Sequence, residues 1–104
     1  MQYQEFKEWL EQNTRGYKLF CNKAMELQLT RNKKRTGKTK KWTDNKMERA
    51  VESMWVDVAK NAYEQIKGQK GVPKYNGHQI WLDFLNEIQF VENFDDSMAE
   101  LEFE

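Results

Sequence analysis

An all-α fold, a small bundle of three to four helices, is predicted for this 104-residue chain by three observations. Apolar residues recur at helical spacing in four separate segments, each long enough to form an amphipathic helix. The third segment carries a continuous stripe of ten apolar positions. The composition, 38% hydrophobic and 33% charged, is typical of a globular chain. Amphipathic helices of these lengths bury their apolar faces by packing into a bundle.

Two helices are predicted within the first 30 residues. In the first, roughly residues 2–13, four large apolar residues share one face. Gly16 is expected to break or bend the chain, and the second helix then runs to about Leu29. The two helices could also fuse, because one glycine costs a helix only about 1 kcal/mol.

The longest predicted helix covers residues 44–67. Its N-terminus has a strong signal, since the Thr43 hydroxyl can accept a free backbone N–H and Trp42 stands at the position of a hydrophobic staple. Gly68 is the expected end of the helix. Its apolar stripe consists of Met47, Ala50, Val51, Met54, Trp55, Val58, Ala59, Ala62, Tyr63 and Ile66.

A turn-rich connector containing Pro73 and the pair Asn76–Gly77 precedes the last predicted helix, at about residues 78–91. A small hairpin over residues 72–80 is an alternative, because an Asn-Gly pair also suits a two-residue hairpin turn. We expect residues 1–94 to form one helical domain and residues 95–104 to form a flexible acidic tail.

Charge is unevenly distributed although the formal net charge is zero. Residues 31–46 carry eight cations against one anion, whereas residues 75–104 carry eight anions and neither Lys nor Arg. The folded molecule should therefore have a basic middle and an acidic C-terminal part.

The basic segment, residues 31–41, is the strongest functional signal in the sequence. Seven of its eleven residues are Lys or Arg, and it has almost no apolar residue, which predicts an exposed loop. Clustered cations suit phosphate binding, because each can displace counterions from a polyanion. An anionic protein surface, lipid headgroups and a plain solvated loop are the alternatives. The predicted nucleic-acid-binding residues are Arg31, Lys33, Lys34, Arg35, Lys38, Lys40, Lys41 and Trp42.

Trp42 has two interpretations. Its indole could stack on a base, as aromatic side chains do in single-strand-binding proteins. It could instead form the hydrophobic staple of the long helix with Met47, and this interpretation is favoured because Thr43 is in place as the cap.

No catalytic, metal or cofactor site is predicted. The substring "TGKTK" lacks the first glycine of a P-loop, because Asn32 stands in its place. Cys21 lies among apolar residues, as a small buried side chain would. His78 has no partner at a recognisable spacing and is expected to be structural or exposed. One cysteine and one histidine cannot build a structural zinc site alone.

The acidic C-terminal segment is a candidate recognition peptide. Its predicted partner-binding residues are Asp95, Asp96, Leu101 and Phe103, with the acids steering a partner and the apolar residues anchoring it. The segment resembles the acidic tails of single-strand-binding proteins, which implies recruitment of other nucleic-acid enzymes. Those tails end on an apolar residue, whereas this one ends on Glu104.

These patterns favour a non-enzymatic, nucleic-acid-associated accessory or adaptor protein that also contacts a protein partner such as a replication, packaging or defence enzyme. The Lys-, Asn-, Gln- and Trp-rich composition resembles that of small accessory proteins of phages and mobile elements. The alternative is an inhibitor of a nucleic-acid-handling enzyme, of the anti-CRISPR or DNA-mimic type, acting through the acidic C-terminal surface. We expect a cytoplasmic location without membrane contact, and the long helix could also support a dimer.

Overall fold

The computed structural model describes residues 1–36 and 41–103, and these form five α-helices with no strand among them. The all-α prediction is therefore confirmed, the hairpin alternative over residues 72–80 is wrong, and the predicted count of three to four helices is not confirmed. The helices are α1 (Tyr3–Asn13), α2 (Gly16–Lys33), α3 (Asp44–Lys70), α4 (Gly77–Glu87) and α5 (Phe90–Glu100).

Helix α3 is the axis of the molecule. Its 27 residues span about 40 Å, which accounts for much of the longest dimension of the 56 × 25 × 20 Å fold. Helices α1 and α2 both pack along it. Tyr3 of α1 contacts Tyr63 near the C-terminal end of α3, and Tyr17 of α2 contacts Trp55 in its middle. Long as α3 is, no helix in the described ranges is both long and apolar enough to cross a membrane.

Helices α4 and α5 form a further layer, in which α4 packs against α1 and α3 and α5 packs against α2. Trp81 of α4 stacks on Tyr63 with ring centroids 5.2 Å apart, and its Nε1 donates to the Gly71 carbonyl at 2.9 Å. Phe94 of α5 meets the edge of Trp55 at 6.1 Å. Helix α5 ends beside Lys23, in the middle of α2. The C-terminal half of α2 therefore extends past this layer, together with the N-terminal half of α3. They form a helical hairpin at one end of the molecule.

The core is largely aromatic and draws buried side chains from all five helices. Trp55, Trp81, Phe6 and Leu10 are its largest fully buried side chains. Buried indoles need partners for their N–H groups, and Trp55 Nε1 donates to Glu11 Oε2 at 2.8 Å. Aromatic side chains bury about 150–250 Å² each, so these residues are expected to contribute strongly to stability.

The predicted ends of α2 and α3 shift by a few residues. Thr43 caps α3 as expected, its Oγ1 accepting the N–H of Lys46 at 3.2 Å. The helix passes through Gly68 and ends at Lys70. Gly71 caps it with a φ of 63°, a conformation that glycine adopts without strain. Helix α2 continues to Lys33, so the first residues of the basic segment are helical.

The acidic tail is not confirmed in the form predicted, because residues 95–100 belong to α5. Three apolar residues of α5, Phe90, Phe94 and Met98, are spaced four apart and face the rest of the fold. Leu101 and Phe103 follow in extended backbone and also pack on the core. This helix was not predicted from the sequence, because acidic residues occupy positions between these apolar residues.

Candidate nucleic-acid interface

The two ends of the basic segment are held together by one side chain. The Asn32 amide Nδ2 donates to the Trp42 carbonyl at 3.2 Å, and its Oδ1 accepts the Trp42 backbone N–H at 2.7 Å. A primary amide can satisfy both backbone groups of one residue in this way. The pairing joins the last turn of α2 to the residue before the cap of α3.

The described cations of this segment surround the Asn32–Trp42 pairing. Arg31 and Lys33 lie in the last turn of α2, where positive charge is favourable against the helix dipole. Lys34 follows directly, and Lys41 Nζ donates to the Asn32 carbonyl at 3.1 Å. We call the surface formed by Arg31, Lys33, Lys34, Arg35, Lys41 and Trp42 the basic tip. Lys38 and Lys40, also predicted to bind nucleic acid, lie outside the described residues.

Trp42 holds two cations over its ring. The Arg35 guanidinium carbon lies 4.0 Å from the ring centroid, and Lys46 Nζ lies 4.7 Å from it. Such contacts are worth about 0.5–1 kcal/mol each at exposed sites. Arg35 is consequently half-buried, whereas its cationic neighbours Arg31, Lys33 and Lys34 are exposed. A nucleic-acid base that stacked on this indole would compete with these cations, so the geometry favours a positioning role for Trp42.

The basic tip has no acidic counterpart among residues 1–36 and 41–103. The salt bridges found there join Lys7 to Glu11 and Glu52, and His78 to Glu5, all on other parts of the surface. Exposed cations clustered in this way repel one another, and in the described ranges none of them is held in a salt bridge that would offset the repulsion. A polyanionic ligand would relieve it.

The predicted partner-binding residues are placed differently from one another. Asp95 is half-buried, and its Oδ1 accepts the backbone N–H groups of Arg15 and Gly16 at the start of α2. Leu101 is half-buried and Phe103 packs edge-on against Phe20 at 5.8 Å. Asp96 alone points to solvent with an unused carboxylate in the described structure. The fold therefore engages three of the four in its own packing or hydrogen bonding.

Two residues that contact the basic tip were not predicted from the sequence. In the sequence, Asn32 was considered only as the residue that replaces the first glycine of a P-loop. In the structure it joins α2 to Trp42 through two hydrogen bonds. Lys46 counted toward the charge excess but was not assigned to the site. A pairing between a side chain and a backbone group ten residues away leaves no periodic signal, so the sequence alone could not reveal it.

Cys21 and His78 show no nucleophilic or metal-binding arrangement within the described ranges. Burial raises the pKa of the Cys21 thiol, and the charges of Glu52 and Glu11 raise it further, which disfavours the reactive thiolate. His78 Nδ1 lies 2.7 Å from Glu5 Oε2, and both side chains are about half exposed. In the part of the chain that is described, His, Cys, Asp and Glu form no group of three that could hold a metal ion.

Comparison of the chain with protein-family models, with curated proteins and with solved structures finds no match.

Proposed function

We propose that this protein is a non-enzymatic accessory or adaptor protein that binds the phosphate backbone of nucleic acid through its basic tip and a protein partner through another surface. The observation that carries the proposal is a group of exposed cations, Arg31, Lys33, Lys34 and Lys41, gathered where no described acid pairs with them. Phosphate binding explains why a chain with zero net charge concentrates its cations in one place.

The position of the tip supports contact with a large ligand. It lies at the end of the α2–α3 hairpin, beyond the layer formed by α4 and α5, so a long polyanion can approach it. The Asn32–Trp42 pairing and the cations over Trp42 hold the adjoining ends of α2 and α3 in place. Because these helix ends are already fixed, less conformational entropy is lost when the neighbouring cations bind a ligand.

The expected binding is insensitive to base sequence. Base readout uses side chains such as Asn, Gln and Arg presented by an element that enters a groove. Here Asn32 is engaged with Trp42, and the exposed side chains around it are mostly Lys, which contacts phosphate as a point charge. Phosphate contacts position a protein on nucleic acid without reading its sequence.

A salt series with matched charge variants tests the proposal. The tip variant replaces Arg31, Lys33, Lys34 and Lys41 by Gln, which keeps good helix formers in α2. The control variant replaces Arg15, Lys18, Lys60 and Lys74 by Gln, and these exposed cations lie away from the tip. Both variants carry the same net charge, so a difference between them reports the location of binding.

If four to six phosphates are neutralised, the logarithm of the affinity should fall with log salt at a slope of about −4 to −5 for a duplex oligonucleotide and about −3 to −4 for a single-stranded one. We expect the tip variant to lose most of its affinity and most of this slope, while the control variant keeps both. If both variants lost affinity equally, binding would depend on net charge and not on the basic tip. If the tip variant bound with unaltered affinity, the basic tip would not be the binding site.

A second candidate function rests on the acidic surface of α4 and α5. Asp83, Glu87, Glu92, Asp96 and Glu100 are all exposed, and all are carried by helices rather than by a free tail. A firmly held row of carboxylates can imitate phosphates and block the basic channel of a nucleic-acid enzyme. Inhibition of purified nucleases that is lost when these five acids are changed to Asn or Gln, and kept in the tip variant, would favour this function over the first.

A further inference from the structure

A groove on the side of the molecule away from the basic tip has the features of a protein-docking site. It lies between α1, α4 and α5 and has a volume of about 530 Å³. Its walls include the half-buried side chains of Trp9, Leu82, Phe90 and Val91. Volumes of this order are typical of clefts that bind a ligand or anchor side chains of a partner.

The lining of the groove includes one acid and no cation. Glu92 lines it, and the exposed acids Asp83 and Glu87 are sequence neighbours of the lining residues Leu82 and Asn86. None of the residues lining the groove is Lys or Arg. Residues 75–104, which provide most of the lining, contain no Lys or Arg at all. Apolar side chains interspersed with Asn86, Gln89 and Glu92, and without a cation, complement a ligand that is apolar on one side and polar or cationic at its edges.

The corner between α4 and α5 gives this groove a fixed shape. Gln89 adopts φ 54°, a left-handed conformation that is unfavourable for a residue with a side chain. Its N–H donates to the Asn86 carbonyl at 3.1 Å, and Asn93 Nδ2 donates to the Ile88 carbonyl at 3.0 Å. The groove therefore exists before a partner binds, which lowers the cost of association.

We propose that this groove binds an amphipathic helix of a protein partner, with apolar anchors at i, i+3 or i+4 on one face and Lys or Arg on its flanks. Helix-in-groove recognition places such anchors in an apolar cleft and leaves the flanking charges to meet its border. The inference goes beyond the phosphate-binding role and does not depend on it. It assigns the protein contact to Trp9, Leu82, Phe90 and Val91 rather than to the residues that follow α5.

A second copy of this chain does not fit the groove equally well. Its most cationic segment, residues 31–41, is almost free of apolar residues and could not fill the cleft. Its large exposed hydrophobic side chains are Leu29 on α2 and Val72, Tyr75, Ile80 and Ile88 around α4, and residues 75–104 contain neither Lys nor Arg to flank an apolar face. The charge and shape of the groove therefore point to a separate protein.

Val91→Glu is the discriminating variant. Val91 lines the groove but lies outside the core cluster, and it is close to the N-terminus of α5, where an acid is favourable. The substitution removes an apolar wall while adding negative charge. A docked amphipathic helix should then bind more weakly, whereas simple attraction to an acidic surface would become stronger. Ser53→Glu, on the exposed face of α3, is the charge-matched control.

The probes are two fluorescein-labelled 18-residue peptides of Leu and Lys, one with its leucines on a single helical face and one with the same composition shuffled. Fluorescence anisotropy should show the amphipathic peptide binding at least five-fold more tightly than the shuffled one. The Val91→Glu protein should lose that preference, and the Ser53→Glu protein should keep it. Circular dichroism should show that both variants are folded.

Three results would overturn the proposal. Equal affinity for the two peptides would show attraction to acidic charge alone, and wild-type or tighter binding by the Val91→Glu protein would show that the groove is not used. Concentration-dependent self-association in sedimentation, abolished by Val91→Glu, would make a second copy the occupant. Because oligonucleotide binding by the basic tip is measured separately, failure here leaves the phosphate-binding proposal standing, and the reverse also holds.

Discussion

The carboxylate of Asp95 caps helix α2 from a position 79 residues later in the chain: its Oδ1 accepts the backbone N–H of Gly16 at 2.7 Å. The same oxygen accepts the N–H of Arg15 at 2.9 Å. A negative charge at a helix N-terminus satisfies free donors and interacts favourably with the helix dipole. The cap also fixes α5 against α2.

Replacing Asp95 by Ala should lower the free energy of unfolding by about 1–2 kcal/mol, the usual cost of losing an N-terminal cap. Urea denaturation followed by circular dichroism measures this change. Asp96→Ala, at the exposed neighbouring position, should change the free energy by no more than about 0.5 kcal/mol. Equal effects of the two substitutions would mean that the cap contributes nothing to stability.

Gly16 and Gly68 should respond in opposite ways to alanine. A Cβ at Gly16 would lie 2.4 Å from the Phe94 ring and 2.9 Å from Met98, so Gly16→Ala should destabilise the fold by about 1–3 kcal/mol through overpacking. A Cβ at Gly68 meets nothing within 4 Å, so Gly68→Ala should stabilise α3 by about 0.5–1 kcal/mol. Thermal unfolding of the two variants measures both signs, and a stabilised Gly16→Ala protein would contradict the close packing of α2 on α5.

Lys23 should be essential for the C-terminal end of α5. Its Nζ donates to the carbonyls of Met98, Ala99 and Leu101 at 2.8, 2.6 and 2.8 Å, which uses all three ammonium hydrogens. Lys23→Met keeps the aliphatic stem and removes these bonds, and we expect a loss of about 1–3 kcal/mol in denaturant unfolding. Lys18→Met, at an exposed site of the same helix, is the control and should be nearly neutral. Hydrogen exchange in residues 98–103 should accelerate in the Lys23 variant alone.

Trp55 should be among the most sensitive positions in the core. It is fully buried, touches Tyr17, Phe20 and Phe94, and donates to Glu11. Trp55→Ala should cost about 3–5 kcal/mol, a large part of the stability of a domain this small. Should that protein fail to fold, Trp55→Phe should still fold with a reduced melting temperature. Wild-type melting of either variant would show that this helix face is not core.

Stability should fall at alkaline pH. Burial raises the pKa of Tyr17 and of Tyr63, and the hydrogen bond to Glu11 raises the pKa of Lys7. Above the unfolded pKa values, about 10 for Tyr and about 10.4 for Lys, the folded protein therefore binds more protons than the unfolded chain. The free energy of unfolding then decreases as pH rises.

Urea midpoints at intervals from pH 7 to pH 11 measure this dependence. Tyr63→Phe should give a shallower decline above about pH 10, because one of the groups with a raised pKa is removed. Its stability at pH 7 should fall as well, since Tyr63 Oη donates to the Met1 carbonyl at 3.0 Å. A midpoint that stays constant or rises between about pH 9.5 and 11 would contradict the assignment.

The fold was predictable where one helix face carries an uninterrupted apolar stripe. Helix α3 was identified with its N-terminal cap, because Thr43 and the residues around it follow a local rule. Helix α5 was not predicted, because acidic residues separate its apolar positions. The turn before it was not predicted either, because Gln89 adopts a left-handed conformation in which Gly or Asn is usually found. The helix break predicted at Gly16 falls at Thr14 and Arg15, directly before it. Gly16 is the first residue of α2, and its lack of a side chain admits Phe94.

The uneven distribution of charge could be predicted from the sequence, whereas the contacts of the charged side chains could not. The sequence located the cationic segment because charge can be counted along a chain. It could not show that Asp95 and Lys23 bind backbone groups on neighbouring helices, since these contacts join residues 75 or more positions apart. The groove beside Trp9 is likewise formed by three helices and has no signature in any one of them.

The Asn32–Trp42 pairing makes the segment between these residues a natural place to insert new sequence. Because the pairing joins the last turn of α2 to the residue before the cap of α3, residues inserted between 35 and 41 should have little effect on either helix. Doubling the length of a flexible loop costs only about 0.6 kcal/mol in closure entropy. Peptide epitopes or a different binding sequence could therefore be grafted between residues 35 and 41, provided that Asn32 and Trp42 are kept. The helical hairpin would then serve as a display scaffold whose specificity resides in an exchangeable loop.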